Sequence, residues 1–147
     1  MMSLGIDPAT RTGLAVVDAR LDLRWHKAIT PGMSDLERLG ILRQLAADYP
    51  ITAVGIEVPP KWSGREHSTE SVTLDAGSWR MLCSLAGLPE PVLMGPSTWR
   101  ARINMPFSGK SRPTLKRMAV DFCAARWGVT LSEDEADAAL IAIAVQS

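Results

Sequence analysis

The chain has only two cysteines and two histidines, no net charge and no long apolar run. Cys83 and Cys123 stand far apart, with neither a C-x-x-C pair nor zinc-ligand spacing, so buried free thiols are the expectation. His26 and His67 lie in unrelated contexts, and neither belongs to an H-E-x-x-H type of metal motif. No apolar stretch reaches the roughly 18 residues a membrane span needs. The N-terminus lacks the basic and apolar regions of a signal peptide. A cytoplasmic location without a membrane partner follows as the expectation. A formal charge of zero also removes any global electrostatic signature of a nucleic-acid binder.

What is present is the size of one domain. The 147 residues, 46% hydrophobic and 22% charged, have the balance of a globular protein able to bury a core, and a single domain over 1–147 is expected. The neutral total conceals an uneven distribution. Between Pro96 and Trp127 lie Arg100, Arg102, Lys110, Arg112, Lys116, Arg117 and Arg126 against the single acid Asp121. The stretch Glu133 to Asp137 that follows is acidic without one base. One surface for phosphates and another for cations would account for this; a solvated basic helix face is the plainer alternative.

Periodicity gives the order of elements. Ser3-Leu-Gly-Ile-Asp-Pro8 and Gly13-Leu-Ala-Val-Val-Asp18 read as strands, and Leu21 to Thr30 as a third, with Leu21, Leu23, Trp25 and Ile29 on odd positions. Ser34 and Glu37 form a capping box ahead of a leucine-rich helix that ends near Pro50. Ile51 to Val58 suits a strand buried on both faces. Lys61 to Thr69 reads as a loop and Ser71 to Ala86 as a helix, with Val72, Ala76, Trp79, Leu82 and Leu85 as its stripe. A short strand over Pro91 to Met94, a small helix around Thr98 to Ile103, and a loop over Asn104 to Arg112 come next. Pro113 opens a helix to Trp127 closed by Gly128, and Ser132 with Glu135 caps a final helix. The order β-β-β-α-β-α-β-α predicts an α/β fold. Its mixed five-stranded sheet has three antiparallel strands and then parallel ones, with helices on both faces.

Acids inside this pattern carry the chemistry. Asp7 sits in an apolar first strand and Glu57 near the end of the fourth. These strands are neighbours in such a sheet, which brings both carboxylates to one edge. Asp134 and Asp137, three apart, share a face of the last helix. Acids at a helix N-terminus are common for dipole reasons alone, and a single buried acid can simply be satisfied by partners. Together, however, four carboxylates from three elements would repel one another unless cations neutralised them. All-oxygen donors point to Mg²⁺ or Mn²⁺. Two such ions about 4 Å apart serve in-line phosphodiester hydrolysis. Glu133 and Glu135 should point away from the shared face.

Three stretches then resemble the signatures of RuvC-type Holliday junction resolvases: Leu4-Gly-Ile-Asp-Pro8 with Thr12-Gly13, Gly55-Ile-Glu57, and Asp134-Glu-Ala-Asp137-Ala-Ala-Leu-Ile-Ala142. Their order and spacing match along nearly the whole chain, and the short length resembles compact bacteriophage relatives. The resemblance implies an RNase H-like fold, a homodimer, and two-metal cleavage of four-way or branched DNA with Asp7, Glu57, Asp134 and Asp137 as catalytic, metal-holding residues. The helix after the glutamate would form the dimer interface, with Trp79 and Met81 as contacts, unless Trp79 is core. Arg100, Lys110, Arg112 and Lys116 are the expected DNA contacts, and Lys110 or Lys116 would also be placed to help orient the nucleophile. The chain departs from the family pattern at Ala9, where a glycine is usual, and at Val58-Pro59-Pro60, where an aromatic usually follows the glutamate. Trp62 would then be either the residue that stacks on an exposed base or simply a surface or core residue. A branch-migration partner is not legible.

Two other readings compete: an RNA-processing or general branched-nucleic-acid nuclease of the same superfamily, and a catalytically inert nucleic-acid-binding domain. The acidic set argues against the second, since a pure phosphate binder has no use for clustered carboxylates. A sugar-kinase or actin-like ATPase fragment shares the strand order but requires a much larger, two-lobed chain.

Overall fold

A computed structural model describes the backbone of residues 1–59 and 66–147, and the side chains of 1–59 and 75–147. Trp62 lies outside the described residues. The strands are β1 (Met2–Asp7), β2 (Thr12–Asp18), β3 (Leu23–Ile29), β4 (Ile51–Glu57) and β5 (Val92–Met94). The helices are α1 (Asp35–Asp48), α2 (Glu66–Leu85), α3 (Pro96–Arg102), α4 (Arg112–Trp127) and α5 (Glu133–Val145). The sheet runs β3-β2-β1-β4-β5. β1 pairs antiparallel with β2, and β2 with β3, while β1–β4 and β4–β5 are parallel. This is the mixed sheet the order of elements predicts.

Side-chain parity explains the layers, since neighbours along a strand point to opposite faces. From β1, Leu4 and Ile6 join Leu14, Val16, Val54 and Ile56 on one face, covered by Leu42 and Leu45 of α1 and Trp79 and Leu82 of α2. Ser3, Gly5 and Asp7 point the other way, toward α5. On that face Ala15 and Val17 meet Ala138, Leu140, Ile141 and Ala142, with Trp99 of α3 and Ala119 and Cys123 of α4 behind them. Cys83 and Cys123 are free and buried, as expected.

The structure moves several boundaries. β3 begins at Leu23 because Asp18 organises a tight turn: its Oδ1 accepts from the backbone N–H of Arg20 at 2.9 Å and of Asp22 at 3.0 Å. The N–H of Asp22, then that of Arg20, holds the Asp18 carboxyl below its ordinary value. Leu21 is drawn into a left-handed turn at φ 65°. α2 starts at Glu66, not Ser71, so Glu66 to Thr69 are helical where a loop was expected. Their uninterrupted polar sequence offers no apolar stripe by which periodicity finds a helix. α3 starts at Pro96 because proline suits a first helical turn. Trp79 is fully buried between α2 and the sheet, so it belongs to the core and is no interface contact; Met81 is the exposed one.

Candidate metal centre

Parity and register assemble the site. Gly5 pairs with Gly55 and Ile6 with Ile56 across β1 and β4. One step further, Asp7 and Glu57 end their strands side by side, both on the α5 face. α5 can lie across this corner because two glycines leave room for it. A Cβ on Gly5 would run into the backbone carbonyl of Ala138 and approach Ala142 N at 2.7 Å. One on Gly13 would collide with the backbone carbonyl of Asp134 and meet Glu135 N at 2.7 Å. Thr12-Gly13 thus fixes where the aspartates of α5 sit.

The start of α5 is set by a complete capping box. Ser132 Oγ accepts from Glu135 N at 3.2 Å, and Ser132 N donates back to Glu135 Oε1 at 3.2 Å. Glu135 also pairs with His26 on β3, so it is turned away from the cluster. Asp134 and Asp137 fall in the first turns, where the helix dipole favours anions.

Oxygens of Asp7, Glu57 and Asp137 lie within 4.8 Å of one another. Asp7 and Asp137 are 2% and 1% exposed. Burial, reinforced by a side-chain hydrogen bond with Glu57 and by its charge, raises the Asp7 carboxyl well above its ordinary value; Lys116 opposes this. Asp137 is also raised by burial, with Lys116 pulling the other way. So is the more open Asp134. A group of buried acids with raised affinity for protons is a group short of positive charge.

Part of that charge comes from α4. Lys116 falls on the buried stripe of this helix with Ala119 and Cys123. Its Nζ donates to Asp137 Oδ2 and lies 3.5 Å from Asp7 Oδ2 and 3.9 Å from Asp134 Oδ1. Burial works against its charge, but Asp7 and Asp137 outweigh burial and raise its pKa, so the ammonium is retained. Glu57 has a different neighbour: the buried indole of Trp99 donates from Nε1 to Glu57 Oε1 at 3.4 Å. The guanidinium of Arg100 stacks 4.6 Å over the Trp99 ring and is itself nearly buried. Two buried carboxylate oxygens, Asp7 Oδ2 and Asp137 Oδ1, have no hydrogen-bond partner among the described residues. Orphaned hard donors in a cluster short of positive charge fit a hard divalent cation held by Asp7, Glu57 and Asp137.

The structure therefore brings Asp7, Glu57 and Asp137 together, with Asp134 on their open side. Arg100 sits beside the cluster and contributes to the potential at Asp137. Lys110 and Arg112 are exposed at the start of α4, and Arg112 lies close enough to act on Asp134. Lys116, expected as a DNA contact or as a residue that helps orient the nucleophile, lies inside the carboxylate group. Arg11, exposed in the β1–β2 turn, also acts on Asp134 and was not singled out from the sequence, nor was Trp99. Arg11 had a signal, as a base in the turn directly after a strand ending in a buried acid. Trp99 had none, because its partner lies 42 residues away in sequence.

No family model matches the chain, and no curated protein does. Solved structures do. Thermus thermophilus RuvC in complex with Holliday junction substrate superimposes with a TM-score of 0.71 at 20% identity, over 98% of this chain and 91% of that one. A second T. thermophilus RuvC structure gives 0.66 at 20% identity, over 98% and 92%. A Fowlpox virus resolvase with its substrate Holliday junction DNA gives 0.53 at 10% identity, over 96% and 95%. At such identities the likeness is one of fold. The chain has the RuvC, RNase H-like fold, and the resemblance carried by its three acidic stretches holds at that level.

Proposed function

We propose that this protein is a divalent-metal-dependent endonuclease that resolves Holliday junctions and related branched DNA. The observation that carries the reading is the carboxylate group of Asp7, Glu57 and Asp137, in which one buried oxygen of Asp7 and one of Asp137 have no hydrogen-bond partner among the described residues. It stands on a fold shared with resolvases solved together with junction DNA. Asp7, Glu57 and Asp137, with Asp134 beside them, are the residues that would hold Mg²⁺ or Mn²⁺. When bound, such ions supply a nucleophilic water and stabilise the oxygens of an in-line phosphodiester displacement.

The chain's own groups do the rest. Trp99 Nε1–H fixes one oxygen of Glu57, and Lys116 fixes one oxygen of Asp137, so both carboxylates keep their rotamers. Arg100, placed over the Trp99 ring, offers a cation with no carboxylate partner in ion-pair range among the described residues, suited to a scissile phosphate. Arg11 and Arg112 stand on the open side around Asp134, and with the exposed Lys110 ahead of α4 would track the flanking backbone. Trp62 remains the aromatic proposed to stack on a base.

We assign a homodimer to the working form, because two symmetric incisions in a four-way junction need two sites. Met81 and Leu85, one turn apart on α2 and 56% and 58% exposed, are apolar side chains such an interface would cover. Among the described residues no helix is long and apolar enough to cross a membrane. A cytoplasmic location suits the substrate.

The test is cleavage of labelled four-way junction, linear duplex and RNA–DNA hybrid with Mg²⁺, Mn²⁺ or EDTA, beside Asp7→Asn. Paired symmetric nicks in the junction alone, absent with EDTA and with the variant, are expected. Cutting of the hybrid or of every substrate would keep the metal site and move the function to a general nuclease. Tight junction binding without any cleavage would leave an inert binder.

A further inference from the structure

The carboxylate group has two sides, and a cation already stands on one of them. Lys116 Nζ reaches Asp137 Oδ2, Asp7 Oδ2 and Asp134 Oδ1, whereas the trio able to share an ion is Asp7, Glu57 and Asp137 without Asp134. Asp137 presents different oxygens to the two sides: Oδ2 to the ammonium, and the unpartnered Oδ1 away from it. We propose that Lys116 is a resident cation of this site, holding its Asp134 side, so that the free protein takes one divalent ion on Asp7, Glu57 and Asp137. A second ion enters only as Lys116 withdraws.

This deepens the metal-nuclease reading and rests on it. The helix backbone at Lys116 is fixed, because Ala119 and Cys123 on the same stripe are packed into the core. The four-carbon stem, though buried, has rotatable bonds by which it can re-aim its charge. A second divalent ion beside the ammonium would face a positive neighbour at a few Å and compete with it for the same carboxylates, in a partly buried setting where that repulsion is large. The phosphodiester of bound DNA offers the ammonium an alternative anionic partner. Loading of the second ion would then be coupled to substrate, and the free enzyme would be kept from holding a fully charged metal pair.

The test is Mn²⁺ binding to the full chain without DNA, by calorimetry and by the electron paramagnetic resonance of free Mn²⁺, for wild type, Lys116→Met, Asp134→Asn and Asp137→Asn. Wild type should bind one ion per chain, with any second at least about tenfold weaker. In Lys116→Met the second ion should tighten by about tenfold or more, the order expected for removing a unit charge nearby. Asp134→Asn should change first-ion affinity by less than about fivefold, against more than about thirtyfold for Asp137→Asn, which loses a ligand. Two equal sites in wild type, or an unaltered second site in Lys116→Met, would overturn the proposal and leave the metal-nuclease reading intact. Absence of any Mn²⁺ binding by wild type would overturn both. Should Lys116→Met fail to fold with its acids unpaired, the Asp134→Asn measurement decides alone. First-ion affinity lost there as severely as in Asp137→Asn would overturn the proposal.

Discussion

The two faces of the sheet are built on different principles. Under α1 and α2 lie large aliphatic side chains and Trp79, which fill the space between helices and strands. Under α5 the strands present Ala15, Gly5 and Gly55 in one row across the sheet, and Gly13 beside Asp7. The helix answers with Ala138, Ala139 and Ala142. The first face is sealed by volume, which tolerates exchange of one hydrophobe for another. The second is sealed by backbone approaching backbone, which tolerates nothing. The carboxylates sit on the second face, so the chemistry is carried where position is least negotiable.

Adding a methyl on the α5 face and removing bulk on the other should expose this difference. Gly5→Ala forces a Cβ into the Ala138 carbonyl, and because the obstacle is main chain no side chain can yield. The expected loss is about 5 kcal/mol or more, beyond the usual overpacking cost of roughly 1–3. The variant should be largely unfolded in a urea titration at 25 °C. Gly13→Ala should cost less stability, since it displaces only the N-terminal turns of α5, yet by shifting Asp137 with them it should abolish Mn²⁺ binding. On the other face, Leu42→Ala removes buried volume and should cost about 2–5 kcal/mol by the same titration. The folded fraction of Leu42→Ala should bind Mn²⁺ as wild type does. Loss of binding in both Leu42→Ala and Gly13→Ala would erase the distinction between the faces.

Much of this was legible in residue order. Ser3-Leu-Gly-Ile-Asp7 alternates small or polar with large apolar side chains, and that alternation alone places Asp7 opposite Leu4 and Ile6. The capping box at Ser132 and the i, i+3 spacing of Asp134 and Asp137 fixed the helical pair. Lys116 was within reach of the same reasoning: the buried positions Ala119 and Cys123, extended back by one turn, arrive at a lysine, and a lysine on a core stripe needs an anion. Its composition among exposed bases on α4 hid this. Trp99 was beyond reach, because its bond to Glu57 joins two elements through tertiary packing and leaves no local periodic mark. The polar start of α2 was missed for the opposite reason, a helix without an apolar stripe.

Electrostatics sharpen the contrast further: a partly buried Arg38–Asp75 pair balances charge on the α1/α2 face, whereas the α5 face gathers several acids around one lysine. Asp7 has a folded-state pKa raised above its ordinary 3.8, chiefly by burial. A raised acid binds its proton more tightly when folded. Its favourable contribution is therefore complete below the unfolded value and is lost as pH rises through the folded one. Without metal, Asp7→Asn should melt higher than wild type at neutral pH, by a few °C where each kcal/mol shifts a chain of this size by about 2–4 °C. The gap should widen as pH rises above about 4 in calorimetric melts. Saturating Mg²⁺ should reverse the order by stabilising wild type alone. A gap that is constant with pH would show that Asp7 is not held at a raised pKa.

The smallest expected effect asks what seats α5 at its far end. Gln146 Nε2 donates to Ser3 Oγ at 2.7 Å, and to the carbonyls of Asp18 at 3.1 Å and Val17 at 3.3 Å. Ser3 Oγ in turn donates to the Ala142 carbonyl at 2.6 Å. This polar clasp ties the end of the helix to β1 and β2, on the strand face that also carries Gly5 and Asp7. If the glycine contacts set the helix position, Gln146→Ala should remove only the worth of these hydrogen bonds, about 1 kcal/mol, with Mn²⁺ affinity unchanged. If the clasp sets it, the same substitution should loosen the whole helix and weaken Mn²⁺ binding in step with stability. Chemical denaturation and metal titration of this one variant separate the two, because the clasp lies at the opposite end of α5 from Asp134 and Asp137 and can reach them only by moving the helix.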